Sequence, residues 1–247
     1  MDKVIELIDV LNSEEKAEIR ASAALELGEI GDMRALDPLL YHLKNSDEKF
    51  VRRDCAEALG ILEATEAVDA LVDCMFNDPF RYARNEAAEA LGKIADPETI
   101  PHLLRFMQEE EWDFGRASAA LALADIGDKK VIHDIMVALR SEDEFYIKRD
   151  MTKALLKFKD KKIVPLMIEL LEKGDNWELR LQAAHNLGWL ATKSGIQALV
   201  DALKNDAHIN VRNECESALQ RIAGDYRLNW TTAEKLLEDI STINIDE

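Results

Sequence analysis

The groups in this chain that could hold a metal, attack a carbonyl or move a proton are five histidines, three cysteines and a large population of carboxylates. Metal-dependent hydrolysis needs ligands converging from fixed spacings, as in HExxH, and His42, His102, His133, His185 and His208 show no such pattern. Cys55, Cys74 and Cys215 form an odd set without a CxxC pair, so they read as small buried hydrophobes in a reducing compartment rather than as a zinc or redox site. No phosphate-binding loop, dinucleotide fingerprint or GxSxG elbow is present. The sequence therefore assigns no catalytic residue, no metal and no cofactor. What recurs is a recognition chemistry. Phe50, Tyr82, Phe114 and Tyr146 fall 32 residues apart, and Phe145, Trp177 and Trp189 occupy neighbouring positions. Aromatic side chains give a partner large contact area at small entropic cost.

Charge narrows the choice of partner. The 247 residues carry 31 basic and 49 acidic side chains, a net charge of −18. Such a surface repels phosphate backbones and anionic lipid, so neither nucleic acid nor membrane is expected as a partner. Arg53, Arg149 and Lys153 stand among Asp54, Glu57, Glu86, Glu89, Asp113 and Asp150 near the aromatic positions. An acidic majority there favours a protein partner with Lys or Arg beside apolar side chains. The candidate contact set is Phe50, Arg53, Tyr82, Glu86, Glu89, Phe114, Tyr146, Arg149, Trp177 and Trp189. The run Glu109–Glu111 reads as a solvated loop. The N-terminus has no basic segment followed by an apolar run, and no stretch reaches the length of a membrane span, so a cytoplasmic location is expected.

The elements that position these residues follow from an internal repeat. Arg20, Arg52, Arg84, Arg116, Lys148, Arg180 and Arg212 are each 32 residues apart. Seven residues after each lies a leucine, from Leu27 and Leu59 through to Leu219, and three further lie Ile30, Leu62, Ile94, Ile126, Phe158, Leu190 and Ile222. Ala23, Ala24, Leu27 and Ile30 have the three-and-four spacing of one helical face. Gly31-Asp32 ends that helix, and Leu36, Leu39, Leu40 and Leu43 begin a second. Val4, Leu7, Ile8 and Leu11 repeat this second helix 32 residues earlier, so residues 1–13 read as a capping helix over repeats at 14–224. Beyond Asp225, a looser link to Trp230 and an amphipathic helix from Thr231 to Ile243 form a C-terminal cap. The expectation is an all-α, right-handed solenoid of seven helical hairpins in one domain, 1–247. The basic residue present in every copy is expected to serve the stacking, and the repeat residues Asp32, Asp96, Asp128 and Asp160 to bond backbone donors or these arginines.

Arg84-Asn-Glu-Ala-Ala-Glu-Ala-Leu-Gly92-Lys-Ile and Arg180-Leu-Gln-Ala-Ala-His-Asn-Leu-Gly188 resemble HEAT repeats, in the short variety named after the phycobilisome bilin lyases. The resemblance spans nearly the whole chain. It implies that the Arg-bearing helices line a concave face whose outward positions carry recognition. The fourth copy departs with Ala124 in place of glycine, and the fifth with Thr152, Leu156 and Phe158-Lys159. HEAT-like deoxyhypusine hydroxylases bind iron through His-Glu dipeptides, which this sequence lacks. HEAT-like DNA glycosylases work in a basic groove, which the net charge opposes even though Trp112-Asp113 invites the comparison. Two readings follow: a non-catalytic protein-binding scaffold, or a bilin-lyase-like chromophore chaperone in which Arg53 or Arg149 pairs tetrapyrrole propionates.

Overall fold

The computed structural model describes residues 2–228 and 231–242; Trp230 and Ile243, the limits proposed for the C-terminal link and helix, lie outside them. Among the described residues there are fifteen α-helices and five short 3-10 turns, and no strand. The chain is an all-α solenoid. It divides into two compact units, Met1–Asp128 and Lys129–Glu247.

The first unit contains α1 (Lys3–Leu11), α2 (Ala17–Ile30), α3 (Leu36–Asn45), α4 (Lys49–Ile61), α5 (Val68–Asn77), α6 (Arg81–Ile94), α7 (Ile100–Glu109) and α8 (Asp113–Ile126). The Arg-bearing helices α2, α4, α6 and α8 stack side by side as one layer, and α1, α3, α5 and α7 pack on them as a second. Leu27, Leu59, Leu91 and Leu123 are fully buried between the layers, as are Leu39, Leu71 and Leu103 from the second layer. Burying each leucine contributes roughly 1.5–3 kcal/mol. Ile30 does not share this core. It is exposed at the end of α2, whereas Phe158, Leu190 and Ile222 at the same position of later copies are buried.

Glycine sets how closely the first-layer helices approach. A Cβ on Gly60 would lie 2.6 Å from the Ala90 Cα, and one on Gly92 2.6 Å from the Ala122 Cα. The helices meet there at a distance that leaves no room for a Cβ on the glycine.

Each first-layer helix ends through the same backbone device. Gly31, Glu63, Ala95 and Gly127 are left-handed, with φ of 74°, 51°, 57° and 81°. Residues 159 and 191, the next positions in register, are left-handed as well. In the first unit Asp32 and Asp96 then accept hydrogen bonds from the N–H groups of Arg34 (3.0 Å) and Glu98 (2.9 Å), opening a 3-10 turn that leads into the next helix. The hydrophobic pattern gives no sign of this turn, since three residues are too few to show a period.

The second unit contains α9 (Ile132–Ser141), α10 (Phe145–Lys157), α11 (Val164–Lys173), α12 (Trp177–Leu190), α13 (Lys193–Asn205), α14 (Ile209–Asp225) and α15 (Ala233–Thr242). Asp160 caps its turn as Asp32 does, by accepting from the Lys162 N–H at 3.0 Å. The departures of the fifth copy have a local cause. Leu156 stands where α12 has Gly188, and Asn186 stands where every other copy but the first has alanine. Asn186 and Thr152 are both fully buried, and the Asn186 amide donates to the Thr152 carbonyl at 2.8 Å. A side-chain hydrogen bond thus joins α10 and α12 in place of glycine–alanine contact.

Candidate functional site

The repeat arginines are structural. Arg52 donates to both Asp78 oxygens at 2.7 and 3.0 Å and to the Ser46 carbonyl at 2.8 Å. Arg84 does the same with Glu110, at 2.8 Å to each oxygen, and with the Asp78 carbonyl at 3.1 Å. Each carboxylate in turn accepts the first free N–H of the following helix, Phe80 on Asp78 and Trp112 on Glu110. The arginine therefore fastens the loop before its helix to the loop after its hairpin partner. Glu110 corrects the reading of Glu109–Glu111 as a solvated run, because its side chain is buried against Arg84. Burial alone would raise its pKa; the hydrogen bonds from Arg84 and Trp112 outweigh that and hold it below the ordinary value.

The outward side of the same layer carries a row of rings. Phe50 meets Phe80 edge to face at 5.4 Å, Phe80 meets Tyr82 at 5.1 Å, Tyr82 meets Trp112 at 4.9 Å, and Trp112 meets Phe114 at 5.4 Å. Phe50, Tyr82 and Phe114, three of the positions read from sequence, remain 40%, 42% and 48% exposed. Phe80 and Trp112, which that reading did not include, are the half-buried links between them. They occupy the N-cap positions of α6 and α8, where a short polar residue is the ordinary choice. Their signal in the sequence is that they too are 32 residues apart and precede Tyr82 and Phe114 by two. Each ring pair contributes roughly 0.5–1.5 kcal/mol beyond its burial, so the row is set before any partner arrives. Cations cover parts of it: Lys49 lies 5.0 Å from the Phe80 ring centre, Arg53 5.3 Å from Phe50, and Arg81 4.9 Å from Trp112.

One to two helical turns from the rings stand carboxylates. Glu86 and Glu89 follow Tyr82 by four and seven residues and Glu57 follows Phe50 by seven, spacings that keep them on the ring-bearing face. Glu89 accepts from Asn85 and from Ser118 of α8, each at 2.9 Å. Burial, reinforced by the charges of Glu89 and Glu57 and eased by Lys93 and Arg53, pushes the Glu86 carboxyl up to about 7. Arg53 is partly committed, donating to the buried Asp54 at 2.5 Å.

The remaining expected contact residues belong to the second unit. Tyr146 packs edge to face on Phe145 at 5.6 Å, and Arg149 bridges to Glu178 at 3.0 Å. Trp177 stacks on His208, with centres 4.2 Å apart. Trp189 is 57% exposed, donates to His185 at 3.0 Å and is covered by Arg221 at 4.6 Å. Trp177 and Trp189 stand at opposite ends of α12, about 18 Å apart at 1.5 Å per residue, so the structure does not bring them together. The three cysteines are buried thiols; burial pushes Cys74 and Cys215 up to about 12 and Cys55 higher still, leaving no nucleophile among them.

Comparison with known proteins agrees with this architecture. A search of curated protein sequences gives no match. Among solved structures, the phycocyanin lyase CpcE–CpcF complex from Nostoc sp. PCC7120 is similar, at 20% identity, TM-score 0.58, covering 96% of this chain and 94% of that one. YibA of Escherichia coli is similar at 19% identity and TM-score 0.63, covering 96% and 90%. Kap121p bound to Pho4p is similar at 16% identity and TM-score 0.62, over 90% of this chain and 28% of that one. At these identities the likeness concerns the fold alone. The family model of HEAT repeats matches residues 5–85, 68–155 and 132–220. With the matched segments reaching from α1 to α14, the chain belongs to the HEAT repeat family.

Proposed function

We propose that this chain is a non-catalytic protein-binding scaffold, and that it grips its partner on the first-layer face of unit Met1–Asp128. The row of five touching rings carries the reading. A fold needs its aromatic side chains inside, whereas here Phe50, Tyr82 and Phe114 are held in fixed array while keeping much of their surface in water. The partner segment lays apolar or aromatic side chains on the rings. It brings a Lys or Arg to Glu57, Glu86 and Glu89, and the chain's −18 charge speeds the encounter. Tyr146, Arg149, Trp177 and Trp189 of the second unit are retained in the proposed contact set as further anchors. CpcE and Kap121p are each seen with another protein, CpcF and Pho4p, which supports a protein partner for a fold of this kind. Among the described residues no helix is long and apolar enough to cross a membrane, and the three free cysteines suit the reducing cytoplasm.

A peptide-display selection against the wild-type chain tests this. Sequences pairing Lys or Arg with Phe, Leu or Met should be enriched. The Tyr82→Ala/Phe114→Ala variant should bind them at least about tenfold more weakly, with unchanged far-UV circular dichroism. Equal binding by the variant would remove the ring row from the interface, and loss of helicity would make it core. Visible absorbance developing with added bilin and no peptide enrichment would favour a chromophore-handling role.

A further inference from the structure

The repeat supplies its own description of a binding site in the second unit. In the second, third and sixth copies an arginine and a backbone N–H converge on one carboxylate. Arg52 and the Phe80 N–H hold Asp78, Arg84 and the Trp112 N–H hold Glu110, and Arg180 and the His208 N–H hold Asp206, all at 2.7–3.1 Å. These carboxylates are at most 7% exposed. In register with them, the fifth copy has Lys148 for the arginine, Gly174 for the carboxylate and Asn176 for the N–H donor. Gly174 has no side chain to offer, and among the described residues Lys148 forms no ion pair. A cavity of about 200 Å³ opens at this place, and Lys148, Gly174 and Asn176 all line it.

We propose that this cavity binds a carboxylate from another molecule, seated between the Lys148 ammonium and the Asn176 N–H. Lys148 in place of Arg keeps the positive charge while giving up the two-pronged grip that an internal partner needs. The α11–α12 loop keeps its backbone course: the Gly174 carbonyl still accepts from Arg180 at 2.8 Å, as the Asp78 carbonyl does from Arg84. The cavity walls select the rest of the ligand. Phe145, Leu170 and Leu179 give it an apolar side that suits a short hydrocarbon stem. Asp143, Glu169 and Asp175 also border it, with Glu169 engaged by Arg140 at 3.1 Å. Lys173 offsets part of this negative charge. Those acids oppose a doubly charged anion such as phosphate, whereas a single carboxylate is matched by Lys148. The volume exceeds the roughly 150 Å³ that accommodates benzene in an engineered core, enough for an amino-acid side chain or a chain terminus. This site is independent of the ring row.

The test is a titration of the full chain followed by amide ¹H–¹⁵N shifts. Propionate should move the Asn176 amide saturably, while propionamide, its neutral isostere, and inorganic phosphate should not. Lys148→Gln should weaken the propionate response roughly tenfold, as expected for loss of a charge-assisted hydrogen bond. An Asn176 amide that does not move, moves equally with propionamide, or responds more to phosphate overturns the proposal. So does a propionate response unaltered in Lys148→Gln. The propionate and propionamide arms on the native chain decide even if that variant fails to fold. Two peptides then separate the sources of the carboxylate: one with a free C-terminus and no acidic residue, the other amidated with an internal Glu. The stronger response identifies a chain terminus or a side chain, and a response to neither limits the site to small free carboxylates, which still upholds it.

Discussion

Glu86, on α6, and Glu110, in the loop between α7 and α8, are carboxylates whose proton affinities move in opposite directions. Glu86, pushed up to about 7, holds its proton more tightly folded than unfolded. The folded state therefore binds the extra proton between about 4.3, the unfolded value, and 7, and stability falls as pH rises through that window. Glu86→Gln should raise the melting temperature by about 2 °C at pH 8 and leave it unchanged near pH 5. A basic partner side chain reverses the burial effect, so peptide binding should strengthen from pH 5 to pH 8 in the wild type, and lose that dependence in Glu86→Gln. Isothermal titration at the two pH values checks both. Glu110 is held below its ordinary value, so its contribution is present above the unfolded pKa and is lost as pH falls through the folded one. Glu110→Gln, which strands the Arg84 guanidinium, should cost about 2–3 kcal/mol in urea unfolding at pH 7. Residue-scale chemistry was legible where it repeated: the structural arginines follow from their spacing, as does the recurrence of Phe50, Tyr82 and Phe114, but the exposure of these rings does not, since Tyr146 shares the spacing and is half-buried. Glu110 was obscured by its acidic neighbours, whose solvation is the ordinary outcome, although it lies 26 residues after Arg84 just as Asp78 follows Arg52. Phe80 and Trp112 were hidden because a cap position rarely holds a ring.

At the scale of elements, helix ends and helix contacts make opposite demands on glycine. Ala95 adopts φ 57° at the end of α6, a conformation that costs an L-residue about 1–2 kcal/mol and glycine almost nothing. Ala95→Gly should therefore stabilise the chain by about 0.5–1 kcal/mol, less than the full relief because glycine also loosens the unfolded chain. Gly60→Ala should do the reverse. Its new methyl would meet the Ala90 backbone, and parting α4 from α6 should cost about 1–3 kcal/mol. Urea midpoints of the two variants, measured side by side, test both signs. Helix pairs and their order could be read from the sequence, since each leaves a mark at the same place in successive copies, whereas the left-handed ends show only where glycine marks them, as at Gly31, and not at Glu63, Ala95, Lys159 or Ala191. The 3-10 turns were not legible, and neither was the exposure of Ile30, which keeps the helical period of its buried equivalents Phe158, Leu190 and Ile222.

At the scale of the whole molecule, the gapless register from Arg20 to Arg212 motivates treating 1–247 as one array. On that proposal the chain unfolds in a single urea transition with coincident fluorescence and circular dichroism. Two separated transitions would mean that Met1–Asp128 and Lys129–Glu247 fold independently. Function was far less legible than fold at this scale, because a repeat advertises whatever every copy shares, and recognition resides in what the copies do not share. The arginine fasteners have one more consequence. In the first unit they form a hydrogen-bonded line through successive loops, from the Ser46 carbonyl through Arg52, Asp78 and Arg84 to Glu110 and Arg116. In the second unit the line from the Gly174 carbonyl through Arg180 and Asp206 to Arg212 has no carboxylate link back to Lys148. Under tension such a line bears load in series. Pulled from its ends, the second unit should yield first at the α11–α12 loop, making the ligand-sized gap at Gly174 also its mechanical fuse.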